Sequence, residues 1–336
     1  MPKTDIGPAT LEDLRGCLLQ SGRIGPTATL TALAGGVSSL VAVVDDRDEQ
    51  WVVKSPLNRL AVDQEWTVDR ARGANEAAAL ANLQGHLGPA DTPRLRFFDA
   101  EQTIIGLEYI AGPPPTYKEE LLEGRADPDT IESLGSATAY LHRHTFPPSL
   151  AGVGPRSLFD DLRLDPYYRF AARQRPELGP ALTALIDETL STPDQGPVHG
   201  DLTPKNVLVR AGRPVIVDWE VAHVGDMAFD LATMTAHLFA KALRTAPVGG
   251  AEPLLDSVRL FSAAYDGPVD RARALRHTGA VLVARLYGKS PVDYLDDPAA
   301  RWRAHRVGVA ALLGTVTDLD SLLDLALGLT AGKDAP

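Results

Sequence analysis

Two short stretches of the chain decide its fold: His199-Gly200-Asp201-Leu202-Thr203-Pro204-Lys205-Asn206 and, a little further on, Ile216-Val217-Asp218-Trp219-Glu220. In the first stretch, Gly200 allows a tight turn beside Asp201, and Pro204 fixes part of the path from Asp201 to Asn206. In the second, Asp218 follows an apolar run, and a strand-end carboxylate beside such a loop can hold a divalent cation. Phosphoryl transfer needs these parts, because it requires a base near the acceptor hydroxyl and oxygen ligands for a metal.

The secondary-structure pattern changes about a third of the way along the chain. A short helix is predicted after Thr10, and β-prone runs then predict strands at 28–34, 39–45, 51–54, 94–100 and 103–110. One helix is inserted among them, at 68–87. Gly112-Pro113-Pro114-Pro115 interrupts this pattern, because glycine and proline disfavour both helix and strand. We therefore expect a β-rich N-terminal lobe over residues 1–112.

The remainder of the chain has a mainly helical pattern. Asp127-Pro128 is typical of a helix start, with an aspartate N-cap and a proline in the first turn. Apolar periodicity predicts helices at 128–144, 158–173, 180–190, 226–242, 253–265, 272–286, 298–313 and 318–329. A strand pair at 207–209 and 214–219 interrupts them and carries the second carboxylate stretch. The second lobe therefore spans residues 113–336.

Composition limits the classes of function. The 336 residues include 33 basic and 44 acidic side chains, and the net charge of −11 argues against a nucleic-acid-binding surface. With 44% hydrophobic residues the chain can form a core, and no run approaches the roughly 18 apolar residues of a membrane span. One cysteine, Cys17, excludes a disulfide framework, and no signal peptide is visible. We expect a cytoplasmic protein without nucleic-acid or membrane partners, of undetermined oligomeric state.

Together the two stretches resemble the catalytic and metal-binding loops of the protein-kinase-like superfamily. The His-Gly-Asp and Asp-Trp-Glu forms are similar to the aminoglycoside phosphotransferase branch, which also holds choline kinases and methylthioribose kinases. The resemblance implies an α+β, bilobal protein-kinase-like fold with a β-rich N-terminal lobe and a mainly helical C-terminal lobe. It also implies that Asp201 is the catalytic base, that Asn206 and Asp218 bind Mg²⁺, and that His199 supports the loop.

The resemblance extends to three upstream features: a lysine, a glutamate and two adjacent serines. Lys54 ends a strand-like run, and Glu76 lies on the next predicted helix. In this family such a pair places a fixed cation on the phosphates of a nucleoside triphosphate. Gly35-Gly36-Val37-Ser38-Ser39 stands where the superfamily has its phosphate-covering loop, which implies phosphate contacts from Ser38 and Ser39. An ordinary hairpin turn is the alternative for this segment.

Two further segments match the family in position. Glu108-Tyr109-Ile110-Ala111-Gly112 corresponds to the hinge, which binds the base through backbone groups, here those of Glu108 and Ile110. Side chains at a hinge say little about the base, so the sequence leaves ATP and GTP open as the donor. Asp226 and Asp230 fall where the family keeps structural aspartates that cap a helix and brace the catalytic loop.

The resemblance implies an enzyme that transfers a γ-phosphoryl group to a small-molecule alcohol. The Arg-rich, Lys-poor composition favours an antibiotic kinase that confers resistance by inactivating an aminoglycoside-like or nucleoside-type drug. A metabolic kinase for methylthioribose, another sugar or an amino alcohol is the alternative, since residues 66–72 are similar to methylthioribose kinases. Arg285 and Lys289 contact substrate or cap a helix end. A non-catalytic, pseudokinase-like binding module is disfavoured because the sequence retains Lys54, Asp201, Asn206 and Asp218.

Overall fold

The N-terminal part is built on a five-stranded antiparallel sheet. The computed structural model describes residues 8, 10–33, 38–57, 69–110, 116–193, 195–245 and 251–332. Its first seven strands are β1 (Thr29–Ala32), β2 (Ser39–Asp46), β3 (Glu49–Pro56), β4 (His86–Leu87), β5 (Ala90–Asp91), β6 (Leu95–Asp99) and β7 (Ile104–Glu108). The sheet has the order β1-β2-β3-β7-β6, so the predicted strands are confirmed. The predicted glycine loop at 35–37, residues 66–68 and the punctuation at 112–115 lie outside the described residues.

One face of this sheet carries its own small core. Helix α1 (Leu11–Gln20) packs Leu14 and Leu18 against the sheet residues Ala42 and Val44, and all four side chains are buried. The helix starts at a capping box in which the Thr10 side chain accepts from the backbone of the third helical residue. The short capped helix predicted after Thr10 is therefore confirmed.

Helix α2 (Arg72–Leu83) is shorter than the predicted segment 68–87. It ends at Gln84, whose φ of 54° takes the backbone out of the helix. The residues that follow then pair as strands, with Leu87 opposite Ala90 in the β4–β5 hairpin. Tertiary pairing thus overrides the helical pattern at this end.

The second part of the chain is helical, as predicted. Asp127 caps the helix that begins at Pro128. Its side chain accepts a hydrogen bond from the Thr130 N–H, and a proline stands in the first turn. In the described ranges no helix is both long and apolar enough to cross a membrane. The helices are α3 (Tyr117–Leu122), α4 (Pro128–His142), α5 (Pro148–Ala151), α6 (Val153–Phe159), α7 (Phe170–Gln174), α8 (Gly179–Ser191), α9 (Ala228–Thr245), α10 (Ala251–Ala264), α11 (Arg271–Tyr287), α12 (Pro298–Leu312) and α13 (Leu319–Thr330).

The helix predicted at 158–173 is not a regular α-helix. Residues Asp160–Arg169 form a π-helix between α6 and α7, with Pro166 inside it. Proline has no N–H to donate and its ring crowds the preceding turn, so the regular i to i−4 ladder cannot continue through this position. The wider turn rotates the side chains of this segment relative to those on a regular helix.

Two small sheets flank the loop at residues 199–206, the predicted catalytic loop. Strands β8 (Gln195–Val198) and β11 (His223–Asp226) pair with each other, and β9 (Val207–Arg210) and β10 (Arg213–Ile216) form the predicted hairpin. Because β11 includes Asp226, the helix predicted from 226 begins two residues later, at Ala228. Strand β10 also pairs in parallel with β5, which precedes residue 112. The division into lobes at residue 112 stays a prediction.

Candidate active site

The predicted site residues meet around one cavity of about 430 Å³. Its lining includes most of them, namely Ser38, Ser39, Lys54, Glu76, Glu108, Ile110 and Asp218. The apolar part of the lining includes Val41, Val52, Leu107, Leu208 and Val217. The catalytic loop lies directly beside the cavity, because the Asn206 carbonyl accepts a 2.9 Å hydrogen bond from the backbone N–H of Val217. The cavity therefore combines an apolar slot with one end rich in charge.

A single buried ammonium organises that charged end. Lys54 Nζ lies 2.7 Å from Glu76 Oε2, pairs with Asp218 Oδ1, and lies 3.8 Å from Glu220 Oε2. The predicted ion pair between the strand lysine and the helix glutamate is thus present, but Lys54 serves two further carboxylates. Oxygens of Glu76, Asp218 and Glu220 all lie within 4.8 Å of one another. Lys54 keeps these like charges together.

The protonation states follow from this crowding. Burial alone would lower the pKa of Lys54, but Asp218, Glu76 and Glu220 together raise that pKa above its usual value. Burial raises the pKa of Glu76, although the lysine charge opposes the shift. Burial would also raise the pKa of Asp218, yet Lys54 holds it well below its usual range. Asp218 therefore stays ionised at neutral pH.

The second centre is Asp201 on the catalytic loop. Its Oδ2 accepts from Arg163 Nη2 and Lys205 Nζ, each at 3.0 Å, and from Asn206 Nδ2 at 2.9 Å. Its Oδ1 is buried and makes no hydrogen bond to any residue in the described part of the chain. Burial would raise the pKa of Asp201, but Arg163 and Lys205 outweigh it and hold that pKa below its usual value. The site thus presents an ionised carboxylate with one oxygen unused.

Buried hydrogen bonds hold the catalytic loop in place. Asp230 accepts the backbone N–H of His199 at 2.6 Å and that of Gly200 at 2.9 Å. His199 accepts the Asp201 N–H on Nδ1 and lies 3.1 Å from the Val217 carbonyl through Nε2, which makes Nε2 the protonated nitrogen. Burial lowers the pKa of His199 and keeps the ring neutral. The expected supporting roles of His199 and Asp230 agree with this geometry.

Two backbone positions fix the aim of the loops. Gly200 has a φ of 77°, and a Cβ there would lie 2.7 Å from the Val221 carbonyl oxygen, so only glycine fits. Asp218 also has a positive φ, 69°, which aspartate tolerates better than most residues. This backbone conformation costs roughly 1 kcal/mol. The ion pair of Asp218 with Lys54 offsets that cost.

Asn206 and Asp218 fit the chemistry of a magnesium site. The Asn206 amide nitrogen donates to the Asp201 carbonyl and carboxylate, which leaves the amide oxygen for another partner. Asp218 is ionised and partly exposed to the cavity. Carboxylate and amide oxygens are the ligands that Mg²⁺ takes in proteins, usually together with substrate phosphates.

Ser38 and Ser39 lie at the same charged end of the cavity. The Ser39 hydroxyl is buried and makes no hydrogen bond to a described residue, which suits a polar ligand group. The backbone carbonyl of Ser38 instead accepts from Arg72 at the start of α2. This contact ties the segment before β2 to the helix that carries Glu76.

The side chain of Glu108, in the predicted hinge, already has partners within the protein. Glu108 accepts from Arg210 at 2.7 Å and from the backbone N–H of Arg94 at 3.2 Å, so its carboxylate is not available to a ligand. The Glu108 N–H is also bonded, to the Arg94 carbonyl at 2.9 Å. Both Glu108 and Ile110 line the cavity, and recognition of a base by their backbone groups stays a prediction.

Several residues of the site were not predicted as functional. Arg163 lies in the π-helix, where no pattern marks it, and Lys205 stands inside the quoted motif without a predicted role. Glu220 is the last residue of the second carboxylate stretch and pairs with buried Arg72 at 3.2 Å. Asn75 donates to the Glu220 carbonyl at 3.0 Å. The signal for these contacts was the run Arg72-Gly73-Ala74-Asn75-Glu76, which places its polar residues on one helix face.

Comparison with known proteins agrees with this geometry. Residues 29–261 match the family described as APH, phosphotransferase enzyme family. This chain belongs to the phosphotransferase enzyme family. The match spans the sheet, α2, the catalytic loop and the Asp218 hairpin, and the predicted family is therefore confirmed.

Individual relatives are more distant. A methylthioribose kinase from Escherichia coli O45:K1 (strain S88 / ExPEC) is 23% identical over 270 residues, which cover 69% of this chain and 64% of that protein. The EKC/KEOPS complex subunit BUD32 of Yarrowia lipolytica is 45% identical over 181 residues, 54% of this chain and 60% of that protein. The chain thus spans less than two thirds of the length of either curated relative.

A solved choline kinase from Streptococcus pneumoniae has the same fold. The two structures superpose with a TM-score of 0.54 and 16% identity, over 90% of this chain and 99% of that one. The predicted protein-kinase-like fold, with a β-sheet N-terminal region and a helical C-terminal part, is confirmed.

Proposed function

We propose that this protein is a small-molecule kinase that binds a nucleoside triphosphate, ATP or GTP, in the 430 Å³ cavity and transfers its γ-phosphoryl group to an alcohol. The observation that carries the proposal is the meeting of the Lys54–Glu76 pair with Asp218 at one end of a cavity whose other end is the hinge. A surface lysine or a structural carboxylate alone would not produce this arrangement. The base lies in the apolar slot, and the phosphates lie towards Lys54, Ser38 and Ser39.

Asp201 is the group that receives the acceptor hydroxyl. Its unused Oδ1 accepts the hydroxyl hydrogen bond and orients the alcohol oxygen towards the γ-phosphorus. As the new O–P bond forms and the bond to the nucleoside diphosphate breaks, the alcohol proton passes to Asp201. An alcohol proton is weakly acidic, so this transfer comes late and orientation is the larger effect. Arg163 and Lys205 keep the carboxylate ionised until then.

Asn206 and Asp218 would hold Mg²⁺, which when bound neutralises charge on the donor phosphates. Lys54 adds a fixed ammonium at the same end. Asp230 and His199 act indirectly, because their hydrogen bonds hold the loop that positions Asp201.

The acceptor divides the proposal into two branches. The composition favours an antibiotic of aminoglycoside-like or nucleoside type, inactivated by phosphorylation. The similarity to a methylthioribose kinase favours the metabolic alternative, a sugar or amino-alcohol kinase. Both branches use the same donor site and the same base.

The test measures nucleoside diphosphate release by the full chain with ATP or GTP, Mg²⁺ and a panel of antibiotics, sugars and amino alcohols. We expect release that depends on Mg²⁺ and rises with one class of acceptor. Nucleotide binding without release on any acceptor would indicate a pseudokinase-like module. Absence of nucleotide binding, measured by calorimetry, would overturn the assignment of the cavity.

A further inference from the structure

A second group of ionisable side chains lies next to Asp201, and all of its members are basic. Lys241 on α9 and Arg285 at the end of α11 are both buried, with 1% and 7% of their surface exposed. Lys118, at the start of α3, faces the same place, since the ring of Tyr294 lies 5.8 Å from its ammonium and 4.8 Å from that of Lys241. Neither the proposed nucleotide site nor the catalytic base uses these three cations.

One aromatic ring joins this group to the catalytic base. The Arg285 guanidinium lies 4.7 Å from the centre of the Tyr167 ring, and the Arg163 guanidinium lies 5.7 Å from the same ring. Arg163 in turn contacts Asp201 Oδ2 at 3.0 Å. Arg285 is close enough to Asp201 to contribute to lowering its pKa. The cations therefore border the side of the catalytic loop on which an acceptor binds.

The two buried members of this group have no anionic partner in the described part of the chain. Lys241 Nζ donates to two neutral oxygens, the His237 carbonyl at 3.3 Å and the Tyr294 hydroxyl at 3.5 Å. Arg285 donates to the Ser290 carbonyl at 2.8 Å. Within the described ranges, neither cation has a carboxylate at ion-pair distance. A buried cation without an anion is unfavourable by several kcal/mol, and a bound anion would remove that cost.

The surroundings of Lys241 also change its pKa. Burial lowers the pKa of Lys241 to about 7, and the positive charges of Lys118, Arg285 and Arg244 act in the same direction. Glu119 opposes them but does not outweigh them. Lys118 has one carboxylate nearby, 3.9 Å away, on a side chain that is 82% exposed.

We propose that the alcohol acceptor carries an anionic group, a phosphate monoester or a carboxylate, which Lys241, Arg285 and Lys118 bind while its hydroxyl meets Asp201. The inference rests on the proposed kinase function and narrows its acceptor. A polycationic acceptor, such as an aminoglycoside, would be repelled by the same cluster. The net charge of −11 gives no hint of this, because the cluster lies inside an otherwise acidic protein.

The test uses simple anions and needs no turnover. The melting temperature of the full chain is measured in sulfate, phosphate, acetate and chloride at equal ionic strength, with the nucleotide site filled by a non-hydrolysable analogue and Mg²⁺. The variants are Lys241→Met, Arg285→Met and, as a matched control, Arg271→Met. Arg271 also stacks its cation on a tyrosine, 5.0 Å from the Tyr265 ring, but at the opposite end of α11. Fourteen residues of helix separate Arg271 from Arg285, about 21 Å.

We expect Lys241→Met to melt at a higher temperature than the unmodified protein in chloride, because an unbalanced buried charge is gone. Both cluster variants should bind the stabilising anion at least tenfold more weakly, while Arg271→Met responds as the unmodified protein does. Stabilisation by sulfate and phosphate over acetate indicates a phosphate monoester, and the reverse order indicates a carboxylate.

An equal anion response in all four proteins would overturn the proposal, as would a protein that no anion stabilises beyond chloride. Sulfate also strengthens burial in general, but that effect acts on every variant alike. Nucleotide-dependent diphosphate release by the unmodified protein is recorded separately. Its failure would count against the kinase function, and failure of the anion response would count against the acceptor class alone.

Discussion

Replacement of Asp201 by asparagine should damage catalysis and stability through two separable effects. The variant keeps the shape of the side chain and removes its charge, so the acceptor hydroxyl loses its base. General-base assistance is worth typically about 10²–10⁴-fold, and we expect kcat to fall by that factor. The KM for nucleotide should change little, because the proposed phosphate-binding residues Lys54, Asn206 and Asp218 are unchanged.

The stability effect comes from Arg163. Its side chain is 8% exposed and loses its anionic partner in Asp201→Asn. Breaking a buried ion pair by removing one partner costs about 3–5 kcal/mol. Arg163 retains its bonds to the Gly200 and Leu162 carbonyls, and Lys205, whose side chain is 45% exposed, regains water. We therefore expect the lower end of that range, about 3 kcal/mol.

A double variant separates the two effects. In Asp201→Asn/Arg163→Met the stranded cation is removed with its partner, so the free energy of unfolding in urea should return to within about 1 kcal/mol of the unmodified protein. The kcat should stay low. In Arg163→Met alone, Asp201 loses a cation that depresses its pKa, so the acid limb of the pH–rate profile should move to higher pH. The reasoning is refuted if the double variant regains turnover together with stability, or if Asp201→Asn turns over normally.

Three further outcomes follow from the charged end of the cavity and from a buried histidine. Lys54→Met should abolish turnover and also lower the melting temperature, because Glu76, Asp218 and Glu220 lose their shared cation; an unchanged melting temperature would contradict this. Asp218→Asn should raise the Mg²⁺ concentration needed for half-maximal activity, and full activity in excess chelator would rule the metal out. Burial lowers the pKa of His223 in the folded protein from 6.5 to about 4. The free energy of unfolding should therefore fall as the pH drops from about 6.5 to about 4, because in that range only the unfolded chain takes up the proton. The loss amounts to about 3 kcal/mol, and urea unfolding of His223→Phe should show a flatter pH profile there than that of the unmodified protein.

The parts of the site that depend on short spans of sequence could be predicted. Gly200 and Pro204 shape the catalytic loop locally, and the hairpin that carries Asp218 needs only nearest-neighbour pairing. The cap at Asp127 is equally local, since its partner is three residues away. The β-rich first part and helical second part follow from a change in apolar period, which a sequence shows directly.

What could not be predicted depends on contacts between distant segments. The end of α2 was misplaced because Leu87 pairs with Ala90 in a hairpin that competes with the helix. Arg163, which lies 3.0 Å from Asp201, belongs to the π-helix that contains Pro166, whereas a helical pattern assumes a regular turn.

The group of basic residues around Lys241 shows that the distribution of charge in the fold could not be predicted from the sequence either. Counting residues gives a net charge of −11, and that count predicts neither a basic cluster nor its position. Lys118, Lys241 and Arg285 are far apart in sequence, so their meeting beside the Tyr294 and Tyr167 rings has no local signature. Net charge adds over the whole molecule, whereas a ligand responds to the few groups within a Debye length of about 10 Å. The sign of the charge at an acceptor site is therefore a property of the fold, and the group proposed to bind the acceptor has the sign opposite to that of the whole chain.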